Sequence, residues 1–218
     1  MDGWLPNEPL GVAIVAAGTV LATLARAGAA DCRVALREAA ALLRPGFDLA
    51  AQRARLAGEV AAMRRDGVIR ARPVPLEDVE LADASAALCR SRSVEAMLHE
   101  HERHRSRREM ARQRGRGVFE QAAELAPVMG LAGTLLALGQ LPGAPLASEG
   151  DILGAVSAAV VSTLCGLVLA HFLLLPLAEA IRRRGERDEA LREQLMQWLA
   201  AQLAPACPKV PTHAGIAA

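Results

Sequence analysis

The stretch LAPVMGLAGTLLALGQLP, Leu125 to Pro142, decides the fold class of this chain because it contains no charged residue. It is long enough to cross the hydrocarbon core of a bilayer, which takes roughly 20 residues of helix. A segment that only had to be apolar would carry more leucine and valine. Instead it has an interior proline (Pro127), three interior glycines and a threonine (Thr134). We infer that one face of this helix is small and weakly polar.

Three stretches of the 218-residue chain lack Lys, Arg, Asp and Glu for long enough to span a membrane: Pro9–Ala25, Leu125–Ser148 and Ile152–Ala178. The first is only just long enough. An alternative interpretation makes Pro9–Ala25 a secretory signal, but no basic residue precedes it and no clear cleavage site follows. We predict three transmembrane helices.

The basic residues indicate the orientation. All 25 lie in two regions: 19 between Arg26 and Glu124, and six after the third stretch. The N-terminal tip and the connection between the second and third spans carry only acidic charges. By the positive-inside rule, both basic regions are cytoplasmic and the N-terminus is outside.

The cytoplasmic parts have helical periodicity. Apolar residues recur at spacings of three and four over Cys32–Leu43 and Leu49–Met63, and Pro45-Gly46 separates these helices. A loop is predicted at Val68–Asp78, followed by a helix from Leu81 that continues into the second span, with Gly115 and Gly117 as weak points. The run Glu179–Leu203 predicts an amphipathic helix that packs on a neighbour or on the membrane surface.

The composition favours no enzyme and no nucleic-acid binder. The 25 basic residues are balanced by 24 acidic ones, and no spacing assembles a nucleophile with a base or a phosphate-binding glycine loop. The segment HEHERH (residues 99–104) fails the metalloprotease spacing, so a solvated helix face is the favoured interpretation and no metal site or cofactor is predicted. The four cysteines form no metal-binding pattern, and we expect them to be reduced.

An arginine cluster precedes the second span. It can determine topology and contact anionic lipid head groups, which we favour, or bind RNA. Its members are Arg103, Arg105, Arg107, Arg108, Arg112, Arg114 and Arg116.

Small and weakly polar residues form a strip on each of the last two spans. Such strips occur in ordinary helix packing, but two of them on spans joined by a short hairpin favour an ion pathway. The strip on the second span comprises Pro127, Gly130, Gly133 and Thr134, and that on the third comprises Ser157, Ser162, Thr163, Cys165, Gly166, His171 and Pro176.

These residues resemble a known family. APVMGLAGTLLAL (126–138) is similar to the AP-x-x-G-x-x-GT signature of the MotA/TolQ/ExbB proton-channel family, and AVVSTLCGLVLAHFLLLPLAEAI (159–181) resembles its T-x-x-G-L and P-[LI]-A pattern. Residues Gly11–Leu24 look like the second span of MotA-type members.

The resemblance implies roles for individual residues. Pro127 and Pro176 would bend the helices that line the pore, and Thr134 and Thr163 would offer hydroxyls to the ion pathway, to which we add Ser162 from the polar strip of the third span. Gly130, Gly133 and Gly166 would pack helices. No span contains Asp or Glu, and we take His171 for a packing or interfacial residue rather than a proton relay.

The resemblance also implies partners. It predicts a homo-oligomer, with five subunits in the family, around a single-span MotB/TolR/ExbD-like protein whose membrane aspartate carries the proton. Membrane lipid is a further expected partner.

The fold class is thus all-α: a polytopic membrane protein with three transmembrane helices and a cytoplasmic helical stalk. We divide it into a periplasmic tip (1–8), a first span (9–25), a cytoplasmic helical region (26–124), a second span with a periplasmic turn (125–148), a third span (149–178) and a cytoplasmic amphipathic helix with a tail (179–218).

Two departures from MotA-type members affect the expected function. The chain has three predicted spans rather than four, and Arg72 stands where the rotor-contacting loop motif, matched by Arg64 and Gly67, would have a glutamate. We therefore expect an inner-membrane stator subunit that, with its aspartate-bearing partner, uses the proton motive force to energise an envelope transport or motility process. The alternatives are a flagellar motor stator and a structural scaffold that conducts no ions.

Overall fold

The computed structural model describes residues 9–66, 79–140 and 148–207, and every regular element in those ranges is helical. The helices are α1 (Pro9–Ala41), α2 (Leu49–Asp66), α3 (Val79–Ser91), α4 (Val94–Gly139), α5 (Glu149–Val168) and α6 (Leu175–Leu203). A π-helical segment, Leu169–Leu174, joins α5 to α6, and a 3₁₀ turn, Ala204–Ala206, follows α6. The predicted all-α fold class is confirmed.

Three of these helices, α1, α4 and the continuous run from α5 through α6, are long and apolar enough to cross a membrane. Large apolar side chains stand exposed on all of them, including Leu21, Leu135 and Phe172. Exposed leucine and phenylalanine on the middle of a charge-free helix indicate contact with lipid or with another membrane helix. The three predicted spans are confirmed, whereas the tip (1–8), the loop at 68–78, most of the periplasmic turn (141–147) and the C-terminal tail (208–218) lie outside the described residues.

The helix boundaries differ from the sequence prediction at two places. The helix expected to run from Leu81 into the second span is broken at Arg92, whose φ is +54°. Serines flank the break: Ser91 bonds back to the carbonyl of Ala87, and the Ser93 hydroxyl accepts from the backbone N–H of Glu95 at the start of α4. By contrast, Gly115 and Gly117 do not interrupt α4, which is one continuous helix across both.

Two compact units divide the described chain. Among the described residues, the first comprises 9–44, 111–140 and 148–184 and contains the apolar parts of α1, α4 and α5. Here Gly18 of α1 allows the side chain of Met129 in α4 to approach closely, since a Cβ on Gly18 would lie 2.9 Å from its sulfur. Val15, one turn earlier on α1, is 1% exposed. Helix α1 is kinked at Gly28, where φ is +82° and ψ is 157°.

The second unit comprises, of the described residues, 45–66, 79–110 and 185–207 and is built around an apolar core. The core residues come from α2, α3, the beginning of α4 and the end of α6: Leu56, Val60, Met63, Leu81, Ala84, Leu88, Met97, Leu195, Met196, Leu199 and Leu203. The amphipathic face predicted on α6 therefore packs on neighbouring helices of the same chain rather than on a membrane surface.

The histidine segment is solvated on one face, where His99, Glu102 and Arg103 are exposed, but the prediction is wrong for His104. His104 is 8% exposed, and its Nε2 lies 3.2 Å from the carboxylate of Asp83 in α3. His101 is half-buried, whereas His99 is exposed. Burial lowers the pKa of His101, and the nearby Arg108 guanidinium lowers it further, against the opposing effects of Glu189 and Glu102.

Arg108 also departs from its expected role. Its guanidinium donates to Glu189 of α6 at 2.6 and 3.1 Å and to Glu80 of α3, which also accepts from Arg192. With 17% of its side chain exposed, Arg108 belongs to an ion cluster within the second unit. The sequence could not show this because the two glutamates lie 28 and 81 residues away in the chain.

Candidate ion pathway

The close contact between α4 and α5 brings the two predicted strips together. A Cβ on Gly130 would lie 3.0 Å from the carbonyl oxygen of Ser162 and 3.3 Å from the Cα of Thr163. A Cβ on Gly166 would lie 2.6 Å from the carbonyl oxygen of Ala126 and 3.2 Å from the Cα of Pro127. Only glycine allows backbones to approach this closely, as in other small-residue contacts between membrane helices.

Ser162 lies inside this contact. It is 2% exposed, and its hydroxyl donates a hydrogen bond of 3.0 Å to the carbonyl oxygen of Gly130. Gly133 faces the same side chain, since a Cβ there would collide with the Ser162 hydroxyl. The Ser162 hydroxyl therefore joins two helices of one chain, and its part in an ion pathway stays a prediction.

The two threonines lie beside the contact and remain partly exposed. Thr163 follows Ser162 and donates to the carbonyl oxygen of Ala159 at 3.2 Å. Thr134 stands one turn after Gly130 on α4 and donates to the carbonyl oxygen of Leu131 at 2.6 Å. A hydroxyl that donates its hydrogen to its own helix still has lone pairs. Each threonine can thus accept a hydrogen bond from a protonated acid that reaches it.

The two prolines occupy different surroundings. Pro127 is half-buried next to Gly166, whereas Pro176 is exposed at the beginning of α6. Proline cannot donate to the carbonyl four residues earlier, and its ring clashes with that carbonyl. The π-helical segment Leu169–Leu174 ends two residues before Pro176, and the N–H of Leu175 reaches the carbonyl of Ala170. The wider turn relieves the clash, and such turns concentrate at functional sites.

Two buried hydroxyls were missed by the sequence analysis. Thr19 and Thr23 of α1 are 3% and 6% exposed and donate to the carbonyl oxygens of Val15 and Thr19, each at 2.7 Å. Their spacing of four residues in GTVLAT was the available signal. They already have partners within their own helix, so they add to the packing of α1.

His171 is exposed on the π-helical segment. Across the described residues, no group of three or more histidine, cysteine or acidic side chains is placed to hold a metal ion. No disulfide joins Cys32, Cys89, Cys165 and Cys207 within the described residues.

Comparison with known proteins identifies the family. Residues 78–194 match the model of the MotA/TolQ/ExbB proton channel family. A curated relative, Motility protein A of Bacillus subtilis (strain 168), is 32% identical over 99 residues, which is 45% of this chain and 36% of that protein. This match thus spans about a third of the relative's length.

Solved structures show the same fold. The flagellar MotAB stator complex from Bacillus subtilis aligns with a TM-score of 0.78 at 21% identity, covering 90% of this chain and 78% of that one. MotAB of C. jejuni aligns with a TM-score of 0.74 at 18% identity, covering 95% and 88%. The family consists of channels and is not a class of enzymes. The match of this chain to the family model, together with its three long apolar helices, indicates a multi-pass inner-membrane protein. The chain belongs to the MotA/TolQ/ExbB proton channel family.

Proposed function

We propose that this chain is the channel-wall subunit of a stator that uses the proton motive force, and that its partner is a single-span protein carrying a membrane aspartate. The supporting observation is the α4–α5 contact. This contact buries the Ser162 hydroxyl but leaves the hydroxyls of Thr134 and Thr163 partly exposed. The two spans contain no carboxylate of their own, since residues 125–148 and 152–178 include neither Asp nor Glu.

A charge in the hydrocarbon core is costly, so an ion pathway there needs a titratable group that crosses in its neutral form. A partner aspartate meets this need when it is protonated, because it can then donate to Thr134 or Thr163. After losing its proton, the carboxylate needs donors. A threonine hydroxyl can rotate away from its own backbone acceptor and provide one. The wall would stabilise both states without a charge of its own.

The proposed topology places the N-terminus in the periplasm and both basic regions in the cytoplasm. The distribution of the 25 basic residues supports it, because none lies in the tip or in the connection between the second and third spans. Several copies of the chain, five by analogy with the family, would surround the partner helices. The exposed apolar faces of α1, α4 and α5 offer surface for those contacts.

Proton uptake tests the proposal directly. Vesicles containing this chain and an aspartate-bearing single-span partner should take up protons, and this chain alone should not. Thr163→Val should abolish uptake, whereas Thr163→Ser should retain it because the hydroxyl is restored. Pro176→Ala should also abolish uptake while leaving assembly intact. Undiminished uptake by Thr163→Val would overturn the role of the hydroxyl, and full uptake by this chain alone would overturn the role of the partner.

Motility is a second candidate for the process that is driven. The relative from Bacillus subtilis is a motility protein, which favours it, whereas Arg72 in place of the rotor-motif glutamate favours envelope transport. Gly67 and Arg72 lie outside the described residues, and Arg64 donates to Gln202 of α6 at 2.8 Å. Deleting the gene and scoring swimming separates the two outputs: unchanged swimming removes the motility candidate, and lost swimming with intact flagella supports it.

A further inference from the structure

A polar cavity of about 410 Å³ lies in the first unit, between α1 and α4. Its volume falls within the usual range of small-molecule sites. Residues on both sides of the Gly28 kink line it, with about two turns of α4 opposite. They are Arg26, Ala27, Asp31, Gln113, Arg114, Gly117, Val118 and Gln121.

The cavity lies at the level of a membrane interface. Arg26 is the first residue after the charge-free stretch 9–25, and Gln121 stands one helical turn before the second span begins at Leu125. In the proposed topology this is the cytoplasmic leaflet, where phospholipid head groups meet basic side chains. The ion pathway residues are one to several turns deeper, so the cavity is separate from them.

The donors of the cavity suit a phosphate. Arg26 and Arg114 are guanidinium groups, which bind phosphate oxygens in a planar, two-pronged geometry. Arg26 also contacts Glu124, but that pair is long, at 3.4 Å, and both side chains are more than half exposed. An exposed pair of this kind contributes little and does not prevent Arg26 from binding an anion.

The acceptors of the cavity suit a second group next to the phosphate. The side-chain oxygen of Gln121 is buried and has no hydrogen-bond partner among the described residues. Because this oxygen has almost no accessible surface, the Gln121 side chain must rotate to present it to the cavity, and a ligand donor would then satisfy an acceptor that is costly to leave unpaired. Asp31 adds a carboxylate on the α1 side. Two donors for a phosphate and two acceptors beside them match a head group that carries both a phosphodiester and an N–H or O–H donor.

We propose that this cavity binds the head group of a phospholipid with a donating head, of the ethanolamine or glycerol type, with the phosphate on Arg26 and Arg114 and the ammonium or hydroxyl on Gln121 and Asp31. The inference rests on the proposed topology for its leaflet but not on proton conduction. A choline head group has no N–H or O–H to offer and should bind less well.

Native mass spectrometry of the full chain tests the site. The protein is purified in mild detergent with equal amounts of ethanolamine, glycerol and choline phospholipids. The wild type should retain the first two in preference to the third. Loss of a charge-assisted contact should reduce retention by about tenfold or more in Arg114→Gln. Arg37→Gln is the control, since Arg37 is an exposed arginine of α1 that lies outside both the cavity and the arginine cluster.

Further measurements distinguish between phospholipid head groups and between a lipid and free phosphate. Asp31→Asn should reduce the preference for ethanolamine over choline lipid. Excess inorganic phosphate should leave the lipid bound; displacement by phosphate would show a site for free anions and overturn the lipid assignment. Arg26→Gln runs in parallel with Arg114→Gln, and only variants with wild-type circular dichroism are compared. Equal retention of choline lipid, or undiminished retention by both arginine variants, overturns the proposal.

Proton uptake with the partner is measured on the same preparations. Conduction without selective lipid retention refutes only the lipid site. Selective retention without conduction refutes only the proposed channel function. The two proposals therefore fail separately.

Discussion

Replacing Gly166 with alanine should separate α4 from α5. The new Cβ would lie 2.6 Å from the carbonyl oxygen of Ala126, whereas ordinary van der Waals contact begins at 3.4 Å, so the helices would have to move apart by about 0.8 Å. The obstacle is backbone and cannot rotate away. The Cα atoms of Gly130 and Pro127, each 3.2 Å from the new atom, block a sideways shift.

The magnitude follows from two effects. Overpacking of a tight contact costs roughly 1–3 kcal/mol. Separating the helices also stretches the 3.0 Å hydrogen bond from Ser162 to Gly130, and interhelical hydrogen bonds in membrane proteins contribute about 0.6 kcal/mol. We expect Gly166→Ala to lower the free energy of unfolding by about 2–3 kcal/mol relative to a matched alanine substitution.

Gly154→Ala is the matched control because it lies on the same helix and its Cβ would meet nothing within 4 Å. The gain in helix propensity on replacing glycine with alanine, about 1 kcal/mol, is common to both variants and cancels in the comparison. Unfolding in mixed micelles titrated with dodecyl sulfate, followed by circular dichroism, measures the difference. Equal midpoints for the two variants would refute the close contact between α4 and α5.

Three further predictions concern other parts of the chain. Gly28→Ala should destabilise the protein by about 1–3 kcal/mol in the same titration, because φ of +82° with ψ of 157° is a conformation that only glycine adopts readily; an unchanged midpoint would contradict the kink. Arg108→Gln should cost roughly 3 kcal/mol, since the buried carboxylate of Glu189 loses two hydrogen bonds from the guanidinium, and a loss below 1 kcal/mol would show that the ion cluster matters little. Folding lowers the pKa of His101, so the contribution of the neutral imidazole to stability is complete above about pH 6.5 and is lost as the pH falls below that value. His101→Gln should flatten this pH dependence of stability in thermal unfolding. His99→Gln is the control and should leave it unchanged, because His99 is exposed.

The spans could be predicted from the sequence because the bilayer imposes one strong local rule. A helix that crosses it must exclude charge over about 20 residues, and this rule needs no knowledge of neighbouring helices. The fold class followed from the three charge-free stretches for that reason. Helix breaks were harder: the left-handed conformation of Arg92 depends on how α3 and α4 pack, and arginine is not a residue that indicates it.

The candidate site was predictable by position but not by the direction of each side chain. Ser162 and Thr163 are adjacent hydroxyl residues, and a rotation of about 100° along the helix separates them. That rotation places Ser162 between two helices and leaves Thr163 partly exposed. Which of two neighbours faces the contact is decided by the glycines of the other helix, Gly130 and Gly133, through distances that a sequence does not contain.

The tight α4–α5 contact also has a consequence for how the proposed stator would work. Backbones held together at Gly130 and Gly166 give the wall a fixed rotation, so Thr134 and Thr163 keep one orientation relative to each other. A fixed wall can distinguish a protonated from an ionised aspartate by hydrogen bonding alone, because its hydroxyls need only turn about one bond. A loose wall would lose that selectivity by adjusting to both states equally. We therefore expect Gly166→Ala to slow proton uptake more than its loss of stability alone would do, when uptake is measured per folded complex at a temperature where the variant remains assembled. Uptake per complex equal to that of Gly154→Ala would show that the rigidity of this contact has no part in conduction.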